Sequence, residues 1–133
     1  MEEKRYREAV LRYAEDIYGT MPEYLWKRTP NYAVLRNRVN RKWYGAVMDL
    51  PRKTLGLTGE GIVDILDVKC SPVMIGSLLE QEGYLPAYHM NKNSWITVLL
   101  DGTVPMEQII SLLDLSYQLT EPKLKKAKGL GEW

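Results

Sequence analysis

The seven residues Arg36-Asn37-Arg38-Val39-Asn40-Arg41-Lys42 hold four cations and two side-chain amides. Cations on a projecting turn are suited to phosphate oxygens, and asparagine amides reach phosphates or base edges. Lys27, Arg28, Arg52 and Lys53 lie nearby in sequence, and Tyr32, Trp43 and Tyr44 interleave aromatic rings that could stack on bases. Trp43 and Tyr44 are neighbours in an expected strand, so they point to opposite faces and at least one belongs to the core. The bland alternative is a charged tip that is merely solvated and protects an edge strand.

The second cluster is His89-Met90-Asn91-Lys92-Asn93-Ser94-Trp95. Asn91 and Asn93 suit the left-handed backbone of a turn. His89 and Trp95 could clamp this turn against a sheet, while His89 and Lys92 offer positive charge to a small anion.

Signals for catalysis are weak, and no enzyme is expected. His89 is the only histidine and Cys70 the only cysteine, so no metal-ligand set is expected. Cys70 sits at a strand end and reads as a small buried residue. Gly56, Gly59 and Gly61 lack the Lys-Ser/Thr that follows a phosphate-cradling loop. Asp64 and Asp67, three apart on a strand, face opposite sides and cannot act as a carboxylate pair. No cofactor is implied.

Charge is segregated along the chain. Residues 27–53 carry eight basic and one acidic side chain, net +7. Residues 54–120 carry two basic and eight acidic, net −6. The whole-chain value of +1 is an average over these segments. Two outcomes are open: folding keeps the basic segment together for a polyanionic partner, or pairs it with the acidic one.

These residues need a scaffold. Tyr6, Val10, Tyr13 and Ile17 recur at helical spacing and predict a helix over 3–18, stopped by Gly19. Residues 31–36 and 41–50 read as strands joined by a short polar turn, a hairpin. Residues 62–69 form a third strand, whose apolar pairs broken by Asp leave its register open. Ser71 and Pro72 open a second helix, with Val73, Met74, Leu78 and Leu79 as its buried face and Gly83 as its end. Residues 84–90 run extended, and 94–100 form a strand rich in β-branched residues. A last helix runs from Pro105 to about Leu119, with Ile109, Leu112, Leu113, Ser116 and Tyr117 inward. The order α-β-β-β-α-β-β-α predicts an α+β two-layer sandwich, an antiparallel sheet with helices on one side. Residues 1–120 are expected to form one domain, and 121–133 a flexible Lys-rich tail.

With 133 residues and 45% hydrophobic composition, the chain can bury a core without staples. The run Ile96–Leu100 is too short to cross a bilayer, so no membrane partner is expected. One cysteine excludes an internal disulfide. The charged N-terminus does not resemble a secretory signal, and a reducing cytoplasm is the expected location.

The stretch from His89-Met90-Asn91-Lys92-Asn93-Ser94-Trp95 through Leu99-Leu100-Asp101-Gly102 resembles the signature of the MmcQ/YjbR family of small bacterial proteins. Ser116-Tyr117 fits its ending. Trp26, Pro30, Ala33–Arg36, Asn40, Lys42-Trp43-Tyr44, Leu55-Gly56-Leu57 and Val68-Lys69-Cys70 are similar to its longer members. The resemblance implies a frataxin-like or secretion-chaperone-like fold and a DNA-binding "double-wing" protein, without catalytic residues. On that basis the 36–42 hairpin is one wing and the 88–95 turn a second. Arg36, Arg38, Asn40, Arg41, Lys42, His89, Asn91, Lys92 and Trp95 are the expected nucleic-acid contacts. The alternative partner is another protein or a second copy of the chain, met by a chaperone-like module that binds no nucleic acid.

Overall fold

The computed structural model describes residues 2–121. The tail expected over 121–133 lies outside the described residues from 122 onward. Helix α1 (Glu2–Tyr18) is followed by strands β1 (Ala33–Arg36) and β2 (Trp43–Pro51), a short 3-10 turn (Arg52–Leu55) and β3 (Ile62–Lys69). Then come helix α2 (Pro72–Leu78), strands β4 (Tyr84–Pro86) and β5 (Trp95–Leu99), and helix α3 (Met106–Thr120). This is the expected α+β order. The five strands form one antiparallel sheet in the order β1-β2-β3-β5-β4. Among the described residues, no helix is long and apolar enough to cross a membrane.

One face of the sheet carries all three helices. Val10 and Ala14 of α1, Ile75 and Leu78 of α2, and Ile109, Leu112 and Leu113 of α3 pack there against Leu35, Val47, Leu66 and Val68. Two helix faces differ from expectation. In α1, Ala14 and Tyr18 turn inward while Ile17 is 57% exposed. A two-turn α2 can bury only a narrow stripe, so Ile75 and Leu78 face the core and Val73 is left in solvent. Ser71 caps α2 as expected, its hydroxyl accepting the Met74 amide at 3.3 Å.

The opposite face is not a solvated one. Ala46, Met48, Leu50, Val63, Ile65 and Leu99 form a second, smaller core there. Loops roof it, contributing Tyr32, Leu55, Leu57, Tyr88 and Met90. This explains the pattern of β3. Leu66 and Val68 point to the helices, Val63 and Ile65 to the loops, and a strand buried on both faces needs no alternation. Asp64 and Asp67 fall on opposite faces accordingly. Asp64 lies 3.6 Å from Arg7 of α1, and Asp67 lies under the loops.

A bulge re-aims the aromatic pair. Leu35 pairs with Gly45 but Arg36 pairs with Trp43, so β2 holds one extra residue, Tyr44. Tyr44 enters the helix-side core and is fully buried. Trp43 emerges on the loop side, half-buried.

Candidate nucleic-acid interface

The basic hairpin is held rigidly. The Asn37 amide donates to the Lys42 carbonyl at 2.8 Å and the Arg41 amide to the Asn37 carbonyl at 2.8 Å, closing the tip. The buried Asn37 side chain accepts from the Val39 amide at 2.9 Å and donates to the Thr120 hydroxyl at 3.4 Å. Asn40 accepts from the Lys42 amide at 3.0 Å and donates to the Thr120 carbonyl at 2.6 Å. Two asparagines thus tie the tip to the last turn of α3, whose free carbonyls need donors. Asn40, an expected nucleic-acid contact, makes both of these side-chain bonds to the scaffold.

The cations divide into two groups. Arg36 and Arg41 share one carboxylate, Glu23, at 3.2 and 2.6 Å. Glu23 is held beside them by a bridge in which its backbone exchanges hydrogen bonds with Val34 across the edge of β1. Arg36 also lies 6.0 Å from the centre of the Trp43 ring, a cation–π geometry. Arg52 meets Asp101 at 3.5 Å, and its Nε donates to the Thr58 carbonyl at 2.8 Å. Burial raises the Asp101 carboxyl, but hydrogen bonds from Thr103 and the hydrogen bond and charge of Arg52 together outweigh it and hold the group below its usual range. By contrast, Lys27, Arg28, Arg38, Lys42 and Lys53 have no acidic partner among the described residues. Arg38 is exposed at the C-terminal end of α1 and passes so close to Gly19 that a Cβ there would sit 2.6 Å from its guanidinium. That position also favours a cation, because the helix end is partially negative.

The second expected wing is a braced turn. Asn91 accepts the Asn93 amide on its side chain at 2.8 Å and the Trp95 amide on its carbonyl at 3.0 Å. Lys92 donates to the Ala87 carbonyl at 2.9 Å. Trp95, expected as a contact residue, is only 8% exposed and packs with Lys69 Nζ 5.8 Å from its ring. Asn91, Lys92 and Trp95 therefore build the turn. His89 is exposed, in a left-handed conformation (φ 63°), its ring 4.2 Å from that of Tyr88.

Beneath this turn lies Asp67, fully buried. One oxygen accepts from the Thr97 hydroxyl, and Thr97 in turn accepts the Tyr88 amide at 2.9 Å. Burial pushes its carboxyl up to about 7, against the opposing effects of the Thr97 hydrogen bond and the Lys92 charge. Asp67 thus links the floor of the sheet to the backbone that presents His89.

The loops enclose a cleft that the sequence alone does not reveal. Its volume is about 390 Å³, and Trp26, Tyr32, Trp43, Met48, His89 and Met90 line it. Trp26 makes edge-to-face contacts with Tyr32 at 6.2 Å and with Trp43 at 6.1 Å. Burial, then the neighbouring Tyr88, raises the Tyr32 phenol pKa above its usual value. Three chain segments, around residues 26–32, 43–48 and 89–90, meet here. Of the expected contacts, His89 lines the cleft, and Arg36 reaches it only through its contact with the Trp43 ring. Arg38, Arg41 and Lys42 belong to the adjacent tip. Lys92 does not line it, so the cleft lacks the paired cationic groups that a small-anion site at His89 and Lys92 would need. Trp26 lines the cleft with Lys27 and Arg28 next to it in the chain, and only their type, an aromatic followed by two cations, hinted at it. Among the described residues, no three of His, Cys, Asp or Glu come together as a metal site.

Comparison with known proteins places this geometry in a family. The Bacillus subtilis protein YyaQ is 43% identical over 115 residues, covering 86% of this chain and 98% of that protein. A crystal structure of a Pseudomonas syringae protein superposes with a TM-score of 0.83 at 44% identity, over 86% of this chain and 98% of that one. A Deinococcus radiodurans crystal structure shares the fold at 23% identity, with a TM-score of 0.65 over 88% of this chain and 79% of that one. The YjbR family model matches residues 15–119, which include the hairpin, the cleft and the braced turn. The chain belongs to the YjbR family.

Proposed function

We propose that this protein is a non-enzymatic nucleic-acid-binding domain, with DNA as its first partner, gripping phosphates with the cations around the 36–42 hairpin. The observation that carries this is the incomplete neutralisation of the basic segment. Two arginines share the single carboxylate of Glu23, and Lys27, Arg28, Arg38 and Lys42 keep their charge unpaired; Lys53, also unpaired, lies beyond the far end of β2. Folding therefore leaves the hairpin positive. Its rigidity lowers the cost of ordering those side chains on a ligand. Cys70 is buried and its thiol pKa is raised by that burial, which disfavours a nucleophilic role.

The test is a fluorescence-anisotropy titration of labelled DNA at two salt concentrations. Replacing Arg38 and Lys42 with Ala removes two phosphate contacts, so the slope of log K against log salt should fall by roughly 2. Affinity at low salt should drop at least tenfold. Unchanged affinity and slope would sink the hairpin model.

One observation favours the rival protein-interaction module: Met21, Tyr24 and Leu25 expose 64%, 53% and 46% of their surface beside the cleft loop. If DNA does not bind at low salt, sedimentation velocity then decides whether this stretch drives self-association.

A further inference from the structure

We infer that the aromatic cleft accepts an unpaired nucleobase, so that the preferred nucleic acid is single-stranded. This rests on the nucleic-acid function proposed above and specifies its ligand. The cleft is built from two units of matching composition, one on the loop before β1 and one at the start of β2. Trp26 is followed by Lys27 and Arg28, and Trp43 is preceded by Arg41 and Lys42. The fold brings the two indoles to 6.1 Å, edge to face, and closes the space with Tyr32, Met48 and Met90. Each ring thus carries two cations beside it in the chain. Only Arg41 of these four is tied to a carboxylate.

A ligand that satisfies both features has flat apolar faces and regularly spaced negative charge. An unstacked nucleotide strand is that ligand: bases stack on aromatic rings while the adjoining phosphates meet the cations. In a duplex each base is already stacked and paired, so entry would cost the unstacking of that base. A volume of about 390 Å³ lies at the small end of the range for ligand clefts, about 300–1,000 Å³. Arg36 places its guanidinium 6.0 Å from the centre of the Trp43 ring, adding a positive charge beside that indole, and His89 stands exposed at the rim. Trp26 is 42% exposed, so its ring can meet a ligand without the core opening.

The experiment compares a labelled thymidine dodecamer strand with a duplex of the same length, at one salt concentration, on the full chain. The single strand should bind roughly tenfold tighter, the value of one stacked base. Trp26→Ala and Trp43→Ala should each erase most of that preference while leaving duplex affinity within about twofold. Trp26→Phe and Trp43→Phe should restore much of it, because a π face remains, and matching thermal melts show that the variants are folded. Equal binding of strand and duplex, with both tryptophan variants silent and Arg38→Ala/Lys42→Ala still weakening both, overturns the cleft inference and leaves the phosphate grip standing. No binding of either DNA overturns both.

Discussion

Replacing Tyr44 with Ala should cost about 3–5 kcal/mol of stability, while the same change one residue earlier, Trp43→Ala, should cost no more than about 1–2 kcal/mol. The two aromatics are adjacent, and the β2 bulge assigns them to different sides of the sheet. Tyr44 is fully buried and its hydroxyl donates to Thr20 at 2.6 Å. Its ring stands edge-on to Tyr18 and Tyr117, with centroids 5.8 and 4.9 Å away. Its carbonyl accepts the buried Ser116 hydroxyl at 2.6 Å, and that hydroxyl accepts the Lys69 amide at 2.9 Å. Removing the ring opens a cavity where α1, α3 and the sheet meet, and takes away the donor to the buried Thr20 hydroxyl, which keeps only its 3.4 Å bond to the Arg36 carbonyl. Trp43 borders an open cleft, so its loss exposes existing surface. Urea melts of both variants check this, and similar losses for the two would show that the bulge does not divide them between core and cleft.

A second large effect concerns pH. The Asp67 carboxyl titrates near 7 in the fold, mainly through burial, and near 4 in the unfolded chain. Between those values the folded state binds the proton that the unfolded state has released. Stability from this group therefore falls as pH rises from about 4 to about 7, and the penalty is complete above that window. Fully expressed, it is on the order of 4 kcal/mol. Asp67→Asn should remove that slope. The variant should gain stability over the parent chain at pH 8 and show little difference at pH 4, measured by urea unfolding at both. Taking the difference between the two chains cancels groups with the opposite behaviour, such as Asp101, whose lowered pKa favours the fold at higher pH. A difference that does not change with pH would show that Asp67 is charged throughout. Because Asp67 holds Thr97, and Thr97 holds the Tyr88 amide, the same variant reports on how firmly the His89 turn is seated.

The elements were legible where local chemistry decides them. Ser71 and Pro72 marked the start of α2, Gly19 the end of α1 with its φ of 67°, and the polar turn at 37–40 the hairpin. Helix faces were less so. Ile17 and Val73 fit an apolar stripe by spacing, but α1 turns Ala14 and Tyr18 inward and α2 is too short for a wide face. The second core was hidden because burial by loops leaves no periodic signature, which is why the Asp-broken pattern of β3 left its register open. The basic segment was plain in composition, but its pairing was not. Glu23 lies outside both the basic and the acidic segment and reaches Arg36 and Arg41 through an isolated bridge to β1. The motif from His89 to Trp95 marked the family correctly, yet most of its polar groups serve the turn itself. The cleft needed the fold, since residues 26 and 32 come from the loop before β1, 43 from the start of β2 and 89 from the turn before β5.

The measurement that bears most directly on the central claim is a residue-resolved NMR titration of the labelled protein with a short single-stranded DNA at low salt. The expected result is a contiguous set of shifted amides and indole signals at 26–28, 38–43 and 89–90, diminishing as salt is raised. Shifts confined to the outer faces of α1, α2 and α3, or no shifts at saturating DNA, would contradict a basic hairpin and aromatic cleft acting together as a nucleic-acid site.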